Sequence, residues 1–480
     1  MRPATPLLAK TPFAIDPKPM EGALTPMAGL CAFSRAFRSL GIPDAATTHI
    51  RTKQRDSGFP IAQQLESLVL LHIAGGDHMS DIKALRGNEA ITKMLGYTPP
   101  TERCIADFLE TFHDHDLLRE ARERADRQGQ ISMLPEQSPA LVGLELVQRH
   151  ALRTHVARMP EQPLVATVDL DATIIESAKR EALRTYEGCK GYQPVVAMWA
   201  ETGLILADEF RDGNVPANFS PLSCTQAAFA ALPETVTSWY FRGDSACHEQ
   251  ELLSWLRNPK RDTGPQGEIF FAISARISKD LGALLTRLHE SRWTTYAVEK
   301  NGTLHQWADV AFVPSEPVER QHITPLRYIG LRLLKPQGEL FADGKDKHFH
   351  AIITNRSDPD GGALLTWHRQ KAGTIEHVHD EVKNGLGGGC LPSAKFGANA
   401  AWFRIACLAY NILHAVRTAW PEETMHTAKA KRVRFVIVNV TGRFSRDRRK
   451  ISLHLSATAE WIQHLQTLFD KFPLRTQATS

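Results

Sequence analysis

Hydrophobic residues three and four positions apart indicate helices in the first third of the chain. Residues 61–73 (IAQQLESLVLLHI) and 105–112 (IADFLETF) both show this spacing, which places their apolar side chains on one helix face. Turn sequences rich in Gly and Pro at 74–77 and 97–100 separate these helices. We therefore predict a helical N-terminal domain at residues 31–160, preceded by a loose arm rich in Pro, Ala and Thr at 1–30.

The alternating pattern of β-strands begins after Pro163. Residues 164–173, 192–200 and 204–210 are joined by short connections and predict three consecutive antiparallel strands. Helical and strand patterns then alternate, at 224–232, 238–242, 247–256 and 268–274. The order βββαβαβ indicates a ribonuclease-H-like mixed sheet within a core domain at residues 161–420.

Further strand patterns interrupt this core at about residues 290–360. They lie at 308–313, 326–334 and 349–354, and helical spacing returns at 375–382 and 396–416, so we predict a β-rich insertion. Residues 433–455 predict a β-hairpin with Gly442 at or near its turn, within a basic C-terminal region at 421–480. The expected fold class is multidomain α/β.

Composition excludes several classes of protein. With 480 residues, 42% of them hydrophobic, the chain can bury several cores. No segment approaches the roughly 20 uncharged apolar residues of a membrane span; the longest, 400–416, contains Arg404, Asn411 and His414 and is typical of an amphipathic helix against a core. Seven scattered cysteines without a Cys-x-x-Cys pair predict neither disulfides nor a zinc site. We expect a cytoplasmic protein without a secretion signal.

Two acids share a face of the first predicted strand. Side chains alternate along a strand, so Asp169 and Asp171 point the same way. Because a buried carboxylate without a partner is costly, the pair should lie at an open edge or beside a cation. The ordinary alternative is a solvated face, or an ion pair with Lys179 or Arg180.

Two further acids follow along the chain. Asp244 comes after the strand pattern at 238–242, where it could cap a helix; in the inferred topology the end of that strand lies beside the middle of the first, bringing Asp244 towards Asp171. Glu376, His379 and Lys383 lie on one helix face at spacings of three and four. An exposed, ion-paired helix face is the alternative there, and His379 taken alone is expected at the surface.

Several short motifs, in this order and spacing, resemble the DDE transposases of bacterial insertion sequences, most of all family thirteen-eighty, whose members carry a β insertion before the final Glu. The resemblance covers residues from about 30 to 460. It implies that the helical domain at 31–160 is a DNA-binding domain and that the core at 161–420 is catalytic. Its motifs are DLDAT (169–173), EGCKGYQP (187–194), DGN (212–214), RGDS (242–245), Glu376 with Lys383, AGGD (74–77) with Leu85 and Arg86, and TGR (441–443) with Arg448 and Arg449.

The resemblance implies that Asp171, Asp244 and Glu376 are the catalytic acids and metal ligands. Asp169, Thr173 and Lys383 are the expected supporting residues. Asp171 is preferred to Asp169 because the family places its catalytic acid just before a small residue and a Thr, here Ala172 and Thr173.

One departure from the family pattern concerns the basic residues before the Glu. Ala372 stands where related transposases carry an Arg. Whether Arg369 or Lys371 meets the DNA backbone is therefore left open.

Three acids without a histidine or cysteine cage suit Mg²⁺. Two ions about 3.5–4 Å apart would serve the attacking and leaving oxygens of a phosphodiester displacement, and Mn²⁺ is expected to substitute. The implied activity is cleavage at the ends of an insertion sequence, followed by joining of the freed 3′-OH to target DNA. Lys383 would contact a phosphate near the scissile bond.

Basic residues concentrate near the C-terminus. Residues 417–450 contain ten Lys or Arg against three acids, whereas the net charge of the whole chain is only +4. Such a cluster is typical of a phosphate-binding surface, although a solvated surface is the alternative. Beside Arg369, Lys371 and Lys383, the expected DNA contacts are Lys431, Arg432, Arg434, Arg443, Arg446, Arg448 and Arg449, and in the helical domain Arg51, Lys53 and Arg55.

The expected partners are double-stranded DNA, as terminal inverted repeats and as target, and a second copy of the chain in a homodimer, with no membrane. In the cytoplasm of a bacterium the DNA-bound protein would associate with the nucleoid. Three other functions stay open: a metal-dependent nuclease without strand transfer, a catalytically inactive DNA-binding protein derived from a transposase, and a sugar hydrolase whose two carboxylates need no metal.

Overall fold

The computed structural model describes residues 22–51, 58–314, 325–447 and 450–474. Its N-terminal third is helical, as the hydrophobic spacing predicts. After a short strand, β1 (Ala23–Thr25), the helices are α1 (Leu30–Ser39), α2 (Ile42–His49), α3 (Ile61–Ala74), α4 (Ile82–Arg86), α5 (Glu89–Leu95), α6 (Glu102–Glu110), α7 (His115–Arg127) and α8 (Pro139–Val156).

The middle of the chain contains the predicted order of strands and helices. Its elements are β2 (Val165–Ala172), β3 (Ile175–Glu176), β4 (Leu183–Arg184), β5 (Lys190–Tyr192), β6 (Val195–Trp199), β7 (Leu204–Glu209), α9 (Pro221–Ala231), β8 (Ser238–Gly243), α10 (Gln250–Arg257), β9 (Ile269–Ser274) and α11 (Lys279–Arg287). The strands β3, β4 and β5 form a small sheet of their own between β2 and β6.

The predicted insertion supplies four strands, and helices follow it. The elements are β10 (Thr294–Val298), β11 (Leu304–Val310), β12 (Arg327–Leu334), β13 (Lys347–Thr354), α12 (Gly361–Asp380), α13 (Phe396–Ala419), α14 (Ala430–Val433), β14 (Gly442–Asp447), β15 (Lys450–Leu455) and α15 (Ala459–Lys471). A π-helical turn, Glu381–Gly385, follows α12 directly, and a second one, Arg434–Val438, follows α14.

Nine strands form one mixed sheet in the order β10-β11-β12-β13-β9-β8-β2-β6-β7. The pairs β2·β8 and β8·β9 are parallel and the other neighbours are antiparallel. Because β13 pairs with β9, the insertion extends the central sheet at its edge. One face of this sheet packs against α9, α10 and α11, and the other face against α12.

Helix α13 differs from the predicted amphipathic helix because it is buried on all sides. It packs against α1, α3, α6 and α8 and against the edge strand β7. Its polar residues have specific buried partners: the Asn411 amide exchanges two hydrogen bonds with the backbone of Ile205, and the Arg404 guanidinium binds the Asp208 carboxylate. The helical N-terminal segment and the C-terminal segment therefore share one core around α13.

Two predicted segments have a different structure. Residues 22–30 of the predicted loose arm are ordered, because β1 pairs with β14. The predicted hairpin at 433–455 is confined to β14 and β15, with Gly442 at the start of a strand. The β-branched run before it forms the π-helical turn Arg434–Val438, since Ile437 and Val438 are buried against the helical core.

None of the helices in the described ranges has the length and apolarity needed to cross a membrane.

We expect the buried pair between Arg404 and Asp208 to be a main contributor to stability. Arg404→Met would leave the Asp208 carboxylate buried without its partner, which costs about 3–5 kcal/mol in such pairs and would lower the midpoint of urea-induced unfolding. Adding Asp208→Asn to this variant removes the uncompensated charge and should restore part of the loss. A midpoint unchanged by Arg404→Met would contradict the assignment.

Candidate functional site

A polar, open cavity of about 690 Å³ lies where β2 and β8 end. We call it the site cavity. Most of its wall comes from the end of β2 and the loop after it, from the start of the turn after β8, and from the segment after α12. Its lining residues are Asp171, Ala172, Thr173, Ile174, Ile175, Glu176, Tyr186, Glu187, Gln193, Ala217, Asp244, Lys383, Asn384, Gly389 and Cys390.

The register of two parallel strands brings Asp171 and Asp244 together. In the pairing of β2 with β8, Asp169 lies opposite Arg242 and Leu170 opposite Gly243. Asp171 and Asp244 are the next residues of the two segments, and both line the site cavity. Asp244 also caps the short turn after β8, because one of its carboxylate oxygens accepts a hydrogen bond from the amide of Ala246 at 2.9 Å. Asp244 therefore both caps a helical turn and lines the site cavity.

Asp169 is engaged in a buried ion pair. It points to the same face as Asp171, while Ala166, Val168 and Leu170 face the core on the other side. Both of its oxygens accept hydrogen bonds from the Arg242 guanidinium, at 2.6 and 2.8 Å. Asp169 therefore pairs with Arg242, and not with Lys179 or Arg180, which the sequence had suggested as partners.

Arg242 also fixes α12 over the strand ends. Its guanidinium donates to the carbonyl of Trp367 at 2.6 Å and stacks over that indole. Two turns further along the helix, the Thr374 hydroxyl donates to Asp169 at 3.3 Å. The position of α12 relative to β2 and β8 therefore depends on one buried charge pair.

Two side chains of α12 contact the carboxylate of Asp171. The Lys371 ammonium lies 3.2 Å from Oδ1, and Nε2 of His379 lies 3.7 Å from Oδ2. Burial pulls the pKa of Lys371 down, but the nearby carboxylates of Asp171 and Asp244 outweigh it and leave this pKa above its ordinary value. Lys371 was a candidate for contact with the DNA backbone, and the structure places it beside Asp171 with only 8% of the residue exposed.

His379 is not at the surface, where it was expected taken alone. Only 7% of it is exposed, and neither ring nitrogen has a hydrogen-bond partner within the described residues. Burial, with Lys371 and Lys383 nearby, lowers its pKa to about 3. The imidazole is therefore neutral at physiological pH. The reason for the difference is helix geometry, since the face of α12 that carries Lys371 also carries His379 and rests on β2.

Glu376 is the predicted acid that the structure does not bring into the site cavity. Its side chain is exposed on α12, and it is absent from the cavity lining. Among the described residues, no group of three or more His, Cys, Asp and Glu is arranged to hold a metal ion. The structure thus assembles two of the three acids, and the third lies nearby on the helix, three residues before His379.

Lys383 and Thr173 are in contact at the edge of the site cavity. The Lys383 ammonium donates to the Thr173 hydroxyl at 3.2 Å and to the carbonyl of Ile174 at 2.6 Å. Burial lowers the pKa of this lysine. The π-helical turn after α12 therefore presents a positive charge to the cavity opposite Asp171.

Several cavity residues were not singled out from the sequence. Glu176, Tyr186, Glu187 and Gln193 line the cavity, and the buried Gln193 side-chain oxygen has no hydrogen-bond partner in the described part of the chain. Tyr186, Glu187 and Gln193 lie in or next to the EGCKGYQP stretch, and this was the sequence feature that could have indicated them. Their approach to Asp171 could not be read from the sequence, because the small sheet of β3, β4 and β5 creates it.

The candidate DNA contacts lie in different surroundings. Arg369 contacts the ring of His305 in the insertion, and Arg434 is half-buried and donates to the carbonyl of Gly385. Exposed candidates are Arg51, Lys431, Arg432 and Arg443. Lys53, Arg55, Arg448 and Arg449, and the side chain of Arg446, lie outside the part of the chain that the structure describes.

The donor set of the site cavity fits a hard divalent cation. Mg²⁺ is commonly held by one or two carboxylates together with water and substrate phosphates. Asp171 and Asp244 offer two such carboxylates in an open polar cavity that has room for water and a phosphodiester. The two acids alone are therefore a sufficient protein contribution.

Comparisons with known proteins give one family. A family model described as Transposase DDE domain group 1 matches residues 20–476. Among solved structures, the chain is similar to one described as "Cryo-EM structure of piggyBac transposase synaptic complex with hairpin DNA (SNHP)", with 10% identity and a TM-score of 0.43 over 96% of this chain and 90% of that one. A search of curated proteins found no match.

The buried neutral His379 predicts a loss of stability in acid. An unfolded histidine binds a proton below its ordinary pKa of about 6.5, whereas folded His379 does not bind one until about pH 3. Its stabilising contribution is therefore complete above pH 6.5 and declines as the pH falls. From pH 7.5 to 5.5, His379→Gln should lose about 1 kcal/mol less unfolding free energy than the wild type. Urea-induced unfolding at both pH values measures this; the exposed His289→Gln is the control, and equal losses in all three proteins would contradict the prediction.

Proposed function

The chain belongs to the family Transposase DDE domain group 1, and from this premise we propose that it cuts DNA at the ends of a mobile element and joins the freed 3′-OH to target DNA. The observation that carries the proposal is the pairing of Asp171 with Asp244 at the ends of adjacent parallel strands, inside an open polar cavity. A phosphodiester can enter such a cavity, and two carboxylates there can hold the cations that its transfer requires.

We propose that the strands β7-β6-β2-β8-β9 form a ribonuclease-H-like catalytic core. The support is their order and direction: three antiparallel strands are followed by two that run parallel to the first. This arrangement puts the first and fourth strands side by side, so that acids at their ends face one cavity.

Asp171 and Asp244 would hold two Mg²⁺ ions, for which Mn²⁺ would substitute. When bound, these ions would act as Lewis acids on the phosphodiester and on both oxygens of the displacement. Lys383, which is held by Thr173 and Ile174, would contact a non-bridging phosphate oxygen.

We propose Glu376 as the third acid. It precedes His379, which contacts Asp171, by three residues and Lys383, which lines the cavity, by seven, so the three residues lie on one side of the helix. Its exposed carboxylate is free to turn towards cations held by the other two acids.

DNA binding would use the exposed basic residues at and after α14. Lys429 binds Asp380 at 2.9 Å, and the amide of Ala430 donates to Glu381 at 2.6 Å. These contacts fix α14, with exposed Lys431 and Arg432, to the turn that carries Lys383. A phosphate backbone could therefore run from the basic surface into the site cavity.

We also propose the type of mobile element, the cellular location and the oligomeric state. On the motifs of the sequence, the element would be a bacterial insertion sequence of family thirteen-eighty, and the protein would act in the cytoplasm, on the nucleoid, as a homodimer that pairs two terminal inverted repeats. A strand-transfer assay separates this function from its alternatives. Joining of a pre-cut end to a target plasmid supports a transposase, cleavage without joining supports a nuclease, and binding without either supports an inactive DNA-binding descendant.

We predict that Asp171→Asn, Asp244→Asn and Glu376→Gln each reduce cleavage of an element end to less than about a thousandth of the wild-type rate. DNA binding should persist, because these side chains act on the reacting phosphate. Glu251→Gln, which changes an exposed acid on α10 on the opposite face of the sheet, is the control and should cut normally. A Glu376→Gln protein that still cuts would remove Glu376 from the site, and Glu187, which lines the cavity, would be the next acid to test.

We also predict that the double variant Lys431→Ala/Arg432→Ala weakens DNA binding and makes it less sensitive to salt. Each lost phosphate contact should reduce the slope of log affinity against log salt by about 0.9, so the slope should fall by about 1 to 2. The control is Lys279→Ala/Arg287→Ala on α11, which lies on the opposite face of the sheet from α12. An unchanged slope in the α14 variant would exclude contact there.

A further inference from the structure

Lys371 is the buried charged group of the site for which the proposed function gives no role. Its ammonium contacts Oδ1 of Asp171 at 3.2 Å, and its charge also interacts with Asp244. The neutral ring of His379 faces the other oxygen of Asp171. The buried ammonium of Lys371 thus offsets part of the negative charge of the acid pair.

Helix α12 does not need this lysine to stay in place. Leu364, Leu365, Ile375 and Val378 bury its apolar face, and Arg242 binds its backbone. The acid pair, in contrast, does need a cation, because two carboxylates that line one cavity repel each other. The role of the lysine is therefore to stabilise the two carboxylates and not to hold the helix.

A divalent cation would compete with this ammonium. Mg²⁺ binds a carboxylate oxygen at about 2.1 Å, and an ammonium on the same oxygen would then lie within a few ångströms of two further positive charges. Such a contact between like charges in a partly dehydrated site is strongly unfavourable.

We propose that the Lys371 ammonium takes the place of a divalent metal ion on Asp171 and has to leave this carboxylate when metal binds. Lys371 is thus a positioning residue that keeps the acid pair intact without metal and weakens the first binding of metal. This inference rests on the proposed function, in which Asp171 and Asp244 hold the metal.

The test is metal affinity in the full-length protein without DNA, measured by titration calorimetry with Mn²⁺ and with Mg²⁺. Lys371→Met keeps the length of the side chain and removes the charge, so it should bind metal at least about tenfold more tightly than the wild type. Lys371→Arg keeps the charge and should bind as weakly as the wild type. Lys395→Met, which removes a surface lysine paired with Glu110, is the control and should not change affinity.

A second readout is the thermal unfolding midpoint. Without metal, Lys371→Met should unfold at a lower temperature than the wild type, and metal should raise its midpoint by more. If Lys371→Met does not fold alone, metal during refolding should restore it, and Lys371→Gln is compared with Lys371→Arg instead. Failure of metal to restore either neutral variant overturns the inference.

Equal or weaker metal binding by Lys371→Met, or tighter binding by Lys371→Arg, also overturns it. Asp171→Asn separates this failure from that of the proposed function. If Asp171→Asn leaves metal affinity unchanged, or if no variant binds metal, the proposed metal site itself is wrong. If Asp171→Asn abolishes binding while all Lys371 variants bind alike, only the role of Lys371 is wrong.

Discussion

The buried ion pair between Asp169 and Arg242 is the contact on which the arrangement of the site depends. Asp169 comes from β2, Arg242 from β8, and the same guanidinium binds the carbonyl of Trp367 in α12. A charge buried this deeply is tolerated only when its partner and remaining hydrogen bonds are present. The three elements that carry Asp171, Asp244 and Lys371 are therefore fixed relative to each other. A second contact supports the same junction, since the ring of His368 is hydrogen-bonded to the carbonyl of Gly243, next to Asp244.

The features predicted from the sequence are those that depend on local pattern. Strand alternation correctly puts Asp169 and Asp171 on one face, and the order of strands and helices suffices to bring Asp244 beside Asp171, because parallel neighbours end at the same edge of a sheet. The insertion is also present as strands. Its edge pairing through β13 was not predicted, because a pattern of residues does not show which strand a new strand will join.

The features that were missed depend on contacts between distant segments. On the sequence, His379 and Lys371 belong to a polar helix and resemble surface residues; they are buried because α12 lies across the strand ends. The run RFVIV at 434–438 has the composition of a strand, yet it forms a helical turn because Gly29 allows α1 to approach it closely: a Cβ on Gly29 would lie 1.7 Å from the carbonyl oxygen of Ile437. Tertiary packing overrides local β preference in such cases.

The site cavity is lined by acidic residues, and basic residues lie around it. This charge distribution affects how DNA could reach the cavity. Glu176 and Glu187 add negative charge to Asp171 and Asp244, so a phosphodiester approaching the cavity alone would be repelled. Three sets of positive charge oppose that repulsion: the Lys371 ammonium, which contacts Asp171, the Lys383 ammonium, which lines the cavity, and the basic residues of α14. The turn Glu381–Gly385 links them, since it carries Lys383 and also binds Ala430 and Arg434. One turn thus joins the cavity to the basic surface. The acid pair and the basic surface are therefore parts of one arrangement.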